Sequence, residues 1–225
     1  MTTTALVRTS VGLKVVMAVS GGLLVLFLVA HMLGNLKIFV GAGAFDDYAA
    51  WLRDLGSPVL PHTWYLWLQR GTLTVAVLAH IWSAAVLTLR ARAARPVRYV
   101  HRRPVQGSYA ARTMRWGGVI IALFIVYHIM DLTSGQLNPV GDRTHPYANV
   151  VADFAPSRWP VTLFYTLAIL AVGLHLSHGI SSALCTLGLR TLGRPGARAV
   201  STGIAVLLCA GYLCVPFAVL TGLVS

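Results

Sequence analysis

Eight histidines stand in a chain of 225 residues that has few acids to partner them. His31, His80, His128, His175 and His178 lie in long uncharged stretches, while His62, His101 and His145 lie in polar segments. An imidazole in apolar surroundings has three ordinary uses. It ligates a metal through a neutral ring nitrogen, passes protons, or packs with one or two hydrogen bonds. No Walker, Rossmann or nucleophile-elbow pattern competes for the chemistry. What the imidazoles can do depends on the elements that hold them.

Those elements follow from where charge is missing. The chain is 56% hydrophobic and 11% charged, with 18 Lys+Arg, six Asp, no Glu and a net charge of +12. Its mean hydropathy is +0.72. This composition excludes disorder, a nucleic-acid arm and an ordinary water-soluble enzyme. Residues 15–36, 71–89, 116–130, 159–189 and 199–225 carry no charge. A membrane helix needs ~20 apolar residues, so the third stretch must extend past Asp131. The expectation is an all-α integral membrane protein, one domain over 1–225. It has five transmembrane helices near 15–38, 64–90, 115–134, 160–189 and 199–223. The first is too long for a signal-peptide core and lacks a small-residue cleavage site.

Charge also orients the spans. Arg8 and Lys14, then Arg90, Arg92, Arg95, Arg98, Arg102, Arg103, Arg112 and Arg115, then Arg190, Arg194 and Arg198 fall on one side. The other side holds Lys37, Arg53, Arg70, Arg143, Arg158 and all six Asp. The positive-inside rule puts the N-terminus in the cytoplasm and the C-terminus outside. The arginine-rich segment, flanked by spans, reads as a topology signal or docking surface rather than a nucleic-acid site.

Depth then pairs the histidines. His31 follows Lys14 by 17 residues and His128 follows Arg115 by 13. At 1.5 Å per residue both lie roughly 20–26 Å above the inner boundary. His80 precedes Arg90 by 10 residues and His175 precedes Arg190 by 15, which is roughly 15–22 Å. In an up-down-up-down bundle the first and third helices are diagonal, as are the second and fourth. A diagonal is on the order of 11–14 Å, a gap that two imidazoles on one iron can span. Each pair can hold one b-type haem: His31 with His128 in the outer half, His80 with His175 deeper. A fifth helix, without histidine, is peripheral to this four-helix haem-binding bundle. Bis-histidine ligation leaves iron no open position, which suits electron transfer and not oxygen activation. His178, one turn from His175, could replace it or bond a propionate. Gly34, Ala79, Ala84, Ala85, Gly173 and Gly179 could make room for a macrocycle or serve plain helix packing. Cys185, Cys209 and Cys214 form no CxxC or CxxCH and read as packing residues.

Several stretches resemble one family. They are Ser20-Gly21 with His31-Met-Leu-Gly-Asn-Leu-Lys-Ile-Phe39, Tyr109-Ala-Ala-Arg-Thr-Met-Arg-Trp-Gly-Gly118, and Tyr127-His-Ile-Met-Asp-Leu-Thr133. To these add His145-Pro-Tyr-Ala-Asn-Val150 and Gly173-Leu-His-Leu-Ser-His-Gly179. They are similar to the cytochrome b membrane anchor of succinate dehydrogenase and fumarate reductase, of the single-anchor, five-helix, two-haem type in its actinobacterial form. The resemblance covers nearly the whole chain. It implies His31 and His128 for a distal haem, and His80 and His175 for a proximal one, with His175 preferred to His178. It implies flavoprotein and iron–sulfur partner subunits on the cytoplasmic face of a bacterial plasma membrane, and a quinone, menaquinone, as electron acceptor. The chain itself carries no catalytic residue on this reading. No acid lies inside the second span, where some two-haem relatives keep a carboxylate near the quinone.

Three further residues are candidates beside that site. Asp131 could relay protons or meet the quinone, or simply cap its helix and face water. Lys37 and Asn35, one turn beyond His31, could contact a propionate or the quinone, and Lys37 could instead snorkel to the interface. Two alternatives use the same histidines. One is a di-haem anchor of the nitrate reductase or formate dehydrogenase type. The other is a haem-free membrane anchor using its imidazoles for protons or packing.

Overall fold

The computed structural model describes residues 9–94, 109–188 and 193–225, and every regular element among them is helical. The elements are α1 (Ser10–Asn35) with a 3-10 turn (Leu36–Val40), α2 (Ala42–Asp54), α3 (Trp64–Ala93), and α4 (Tyr109–His128) with a π-helical turn (Ile129–Thr133). Then follow α5 (Pro146–Asp153), a 3-10 turn (Pro156–Arg158), α6 (Trp159–Thr186) and α7 (Gly193–Leu220). Five spans are long and apolar enough to cross a membrane: Ser10–Val40, Trp64–Ala93, Thr113–Thr133, Pro156–Thr186 and Pro195–Leu220. The chain is an all-α, multi-pass membrane protein. Large apolar side chains such as Leu26, Val75 and Leu123 are each 68% exposed. Such a surface is stable only against lipid or another apolar partner.

The ends of the spans differ from the charge gaps for local reasons. α1 begins at Ser10, because Thr9 caps it by accepting a hydrogen bond from the Gly12 amide at 3.0 Å. Lys14 is therefore inside the helix. α3 runs on through Arg90 and Arg92, whose long stems let the charge leave the apolar layer while the backbone stays helical. The third span does continue past Asp131, as its length required, but by widening into the π-helical turn. Arg8, Arg95, Arg98, Arg102, Arg103, Arg190 and His101 lie outside the described residues.

Two short helices, α2 and α5, were not expected, because a search for charge-free stretches passes over amphipathic segments. They meet at one end of the bundle, where the Tyr147 amide donates to Asp46 Oδ1 at 2.9 Å. The Tyr147 hydroxyl donates to the Ser225 carbonyl at 3.1 Å, so the C-terminus joins the same end. At the opposite end Arg90 reaches the Ser10 hydroxyl at 3.5 Å. One end thus carries the aspartates and the other the arginines of α3.

Packing gives the bundle an open side. α1 packs on α3, α6 and α7, and α6 packs on α1, α4 and α7, but nothing comparable joins α3 to α4. α1 and α4 therefore face each other across one diagonal, and α3 and α6 across the other. α7 is less peripheral than expected, since its contact with α6 is the most extensive in the bundle. Met32, Leu176, Ala205 and Leu208 bury together where α1, α6 and α7 meet. Two glycines permit the close approach. A Cβ on Gly211 would collide with Met32, and one on Gly173 with Cys209 Sγ. Gly173→Ala is expected to destabilise the chain by ~1–3 kcal/mol through overpacking, and Cys209→Ala in the same chain should recover most of that. Thermal unfolding in detergent measures both, and an unaltered midpoint for Gly173→Ala would show that the helices can separate freely here.

Candidate functional site: two imidazole pairs

The bundle brings four of the five membrane histidines together as two pairs, each across a diagonal. The His31 and His128 ring centroids are 5.9 Å apart, with planes at 80°. Those of His80 and His175 are 6.1 Å apart, at 61°. A ligating ring nitrogen sits ~2 Å from its metal, so two rings trans on one metal have centroids ~6 Å apart. The ring brought to His80 is that of His175, one turn from His178.

The pairs are separated along the bundle axis. His80 is level with Met17 and Gly21 of α1, since its Nδ1 lies 3.1 Å from the Met17 carbonyl and a Cβ on Gly21 would come within 3.2 Å of its Cε1. His31 stands ten residues farther along α1 than Gly21, or ~15 Å at 1.5 Å per residue. On α4, Gly118 abuts His175, and His128 again stands ten residues beyond. Two independent helices give the same offset.

Neighbouring groups decide which ring nitrogen is free. His80 Nδ1–H donates to the Met17 carbonyl, with the Ser20 hydroxyl at 3.4 Å beside it. Its Nε2 then keeps a lone pair, the form in which an imidazole ligates. His128 Nδ1 lies 3.4 Å from the Tyr165 hydroxyl, which gives its own proton to Asp131 Oδ2 at 2.8 Å. Tyr165 must therefore accept from His128 Nδ1–H, and Nε2 is again left as the lone pair. His175 Nδ1 is buried with no hydrogen-bond partner in the protein, a costly state for a plain packing residue. Beside His175, a cavity of about 270 Å³ is lined by Thr113, Met114, Gly117, Ile120, Ala171 and Leu174 among others.

Aromatic rings enclose the pair at the Asp-bearing end. Phe27 stacks on His31 at 5.2 Å and Phe124 lies 5.7 Å from His128. Each phenylalanine precedes its histidine by four residues, one helical turn. That matched spacing is visible in the sequence. Tyr212 of α7 completes the enclosure 6.1 Å from His31, held by its hydroxyl donating to the Leu28 carbonyl at 2.7 Å.

Among the described residues no three or more His, Cys, Asp or Glu side chains gather to hold a metal. A bare ion would find two ligands at either pair and would need the rest from elsewhere. A metal that brings its own equatorial ligands in a flat ring needs only two. The donor chemistry, the ring spacing and the glycines against His80 and His175 fit such a group.

No family model, curated protein or solved structure matches the chain. The reading of the site rests on its geometry and chemistry.

Several expected roles change. Asp131 is neither a cap nor solvated: it is 0% exposed and turned inward by the π-helical turn. Asp153, not singled out from sequence, is equally buried beside it. Lys37 places its ammonium 5.2 Å from the centre of the Tyr48 ring, a cation–π contact with α2. Asn35 ends α1 without a side-chain capping bond. Gly34 accommodates the Tyr48 ring and Gly173 accommodates Cys209, so both serve packing, while Gly21 and Gly118 are the glycines against imidazoles. His62 and His145 are far from either pair in role, bonded to Asp54 at 2.7 Å and Asp142 at 2.8 Å. The Asp142 carboxylate holds the His145 imidazole above its ordinary value.

Proposed function

We propose that the chain is the di-haem cytochrome b anchor of a succinate:quinone oxidoreductase in a bacterial plasma membrane. His31 and His128 would hold one haem b, and His80 and His175 the other. Electrons taken from succinate by flavoprotein and iron–sulfur partners at the arginine-bearing, cytoplasmic end would leave through this chain to a quinone, menaquinone. The observation that carries the reading is the two imidazole couples, with ring centroids 5.9 and 6.1 Å apart, on opposite diagonals. The motif resemblance supplies the identity of the partners.

Haem held there would supply one-electron transfer. The chain's own residues do the rest. The Met17 carbonyl and the Tyr165 hydroxyl fix the tautomer and rotation of His80 and His128. Phe27, Phe124 and Tyr212 keep water from the outer pair, which lowers the local dielectric and strengthens each fixed charge nearby. Arg90 and Arg92 at the end of α3 present positive charge to a partner surface.

Affinity purification from native membranes tests the whole proposal. The expected result is co-purification of a flavoprotein and an iron–sulfur protein, with two non-covalent haems per chain and quinone reduction driven by succinate. A preparation with intact chain but no visible absorption would overturn it.

A further inference from the structure

At the Asp-bearing end, two carboxyl groups from different elements are buried beside one another. Asp131 comes from the π-helical turn after α4 and Asp153 ends α5, and both are 0% exposed. Asp131 Oδ2 accepts from Tyr165 at 2.8 Å, and Asp153 Oδ1 accepts from Arg158 Nη2 at 2.9 Å. The two side chains lie within hydrogen-bonding reach of each other. The oxygens left over, Asp131 Oδ1 and Asp153 Oδ2, are buried and have no donor from the protein. Two carboxylates cannot bond one another, because neither has a hydrogen to give. One proton between them satisfies both oxygens.

Charge balance points the same way. Two carboxylates and the Arg158 guanidinium carry a net −1, and burying an unbalanced charge is costly. One shared proton brings the group to zero. The other titratable groups facing the pair are Tyr127 of α4 and Tyr165 of α6. The apolar core at this end adds Val215, Ala218, Val219 and Val224 from α7 and the C-terminus, with Phe154 beside Asp153. Burial first, and then the neighbouring Asp131, push the Asp153 carboxyl up to about 7.

We propose that Asp131 and Asp153 form one protonatable unit with a site for a single shared proton, and that Tyr165 links it to His128 so that charge arriving at the outer imidazole pair is matched by filling that site. The first half stands on the buried carboxyl geometry alone. The second half rests on the di-haem reading. On that reading, an electron reaching the cofactor held by His31 and His128 would add −1. One proton drawn from water at the Asp-bearing face adds +1, and no bond other than O–H forms. Arg158, bonded to Asp153 and with its side chain 32% exposed, joins the unit to the surface.

Infrared spectroscopy of the purified chain, labelled with carboxyl-¹³C aspartate, tests the unit directly, because the chain has no Glu and only six Asp. The expected result is an isotope-shifted carboxylic C=O band below neutral pH that disappears as pH rises through neutrality. It should be missing in both Asp131→Asn and Asp153→Asn, since each removes half of the same acid pair. A pH-independent spectrum in the unaltered chain, which needs no variant to fold, would overturn the proposal, as would a band lost in only one variant. Redox titration tests the link. The midpoint potential of one haem should fall with rising pH, and that slope should vanish in Asp131→Asn while haem content is unchanged. A slope that persists removes the link and leaves the unit. Absence of haem with the infrared band present sinks the di-haem reading instead.

Discussion

Replacing His31 or His128 by alanine is expected to remove one haem, the same haem in either case, and to leave the other. The reduced-minus-oxidised absorption of the purified complex should fall by about half, because on the di-haem reading two imidazoles would hold each haem and one alone would not retain it. His80→Ala or His175→Ala should remove the remaining one. Combinations are more telling than single changes. His31→Ala with His128→Ala should cost no more haem than either alone, since both act on one site and such effects do not add. His31→Ala with His80→Ala should leave none. The 5.9 and 6.1 Å ring separations fix these groupings. If His31→Ala with His128→Ala emptied both sites, or if His178→Ala mimicked His175→Ala, the diagonal assignment would fail. Gly21→Val offers a subtler route to the same end. Its side chain would press on His80, whose Cε1 is already only 3.2 Å from a Cβ placed there, and should deplete the haem held by His80 and His175 alone.

The spans and the histidine pairs were legible in the sequence because lipid enforces simple rules. A charge inside the bilayer is so costly that its absence marks a span. A fixed rise per residue turns sequence distance into depth, so His31 and His128 match in depth without reference to packing. Packing itself was not legible in this way. Which glycine faces an imidazole depends on helix rotation, and rotation is set by contacts such as Tyr212 on the Leu28 carbonyl. Depth counting cannot supply that, and it leaves open what the packing decides: Gly34 and Gly173 meet Tyr48 and Cys209, while Gly21 and Gly118 meet imidazoles. The buried acid pair was hidden for a different reason. Asp153 ends a short helix outside the charge-free stretches, 22 residues from Asp131, and only the π-helical turn and α5 together bring the two carboxyls into contact. An aspartate three residues past a span histidine looks like an interface residue until its surroundings are known.

That burial makes Arg158 the surface-side residue with the largest expected effect on stability. Removing one partner of a buried ion pair leaves the other charge uncompensated, at a cost of ~3–5 kcal/mol. With the Arg158 side chain 32% exposed, Arg158→Met is expected near the lower end, ~3 kcal/mol at pH 8. The cost should depend on pH, and its sign follows from linkage. The Asp153 carboxyl is raised from its ordinary 3.8 to about 7, so the native state binds more protons than the unfolded chain between those values. Stability therefore falls as pH rises through that window. Without the guanidinium the native affinity for protons climbs further, and protonation removes the very charge that Arg158 balanced. Arg158→Met should accordingly be mild near pH 5 and severe near pH 8. Asp153→Asn in the same chain should recover most of the loss, because the charge that needed a partner is gone. Thermal unfolding in detergent across that pH range reads all three. Equal losses at both pH values would mean that Arg158 acts through the packing of its stem, with the two aspartates ionised independently of it.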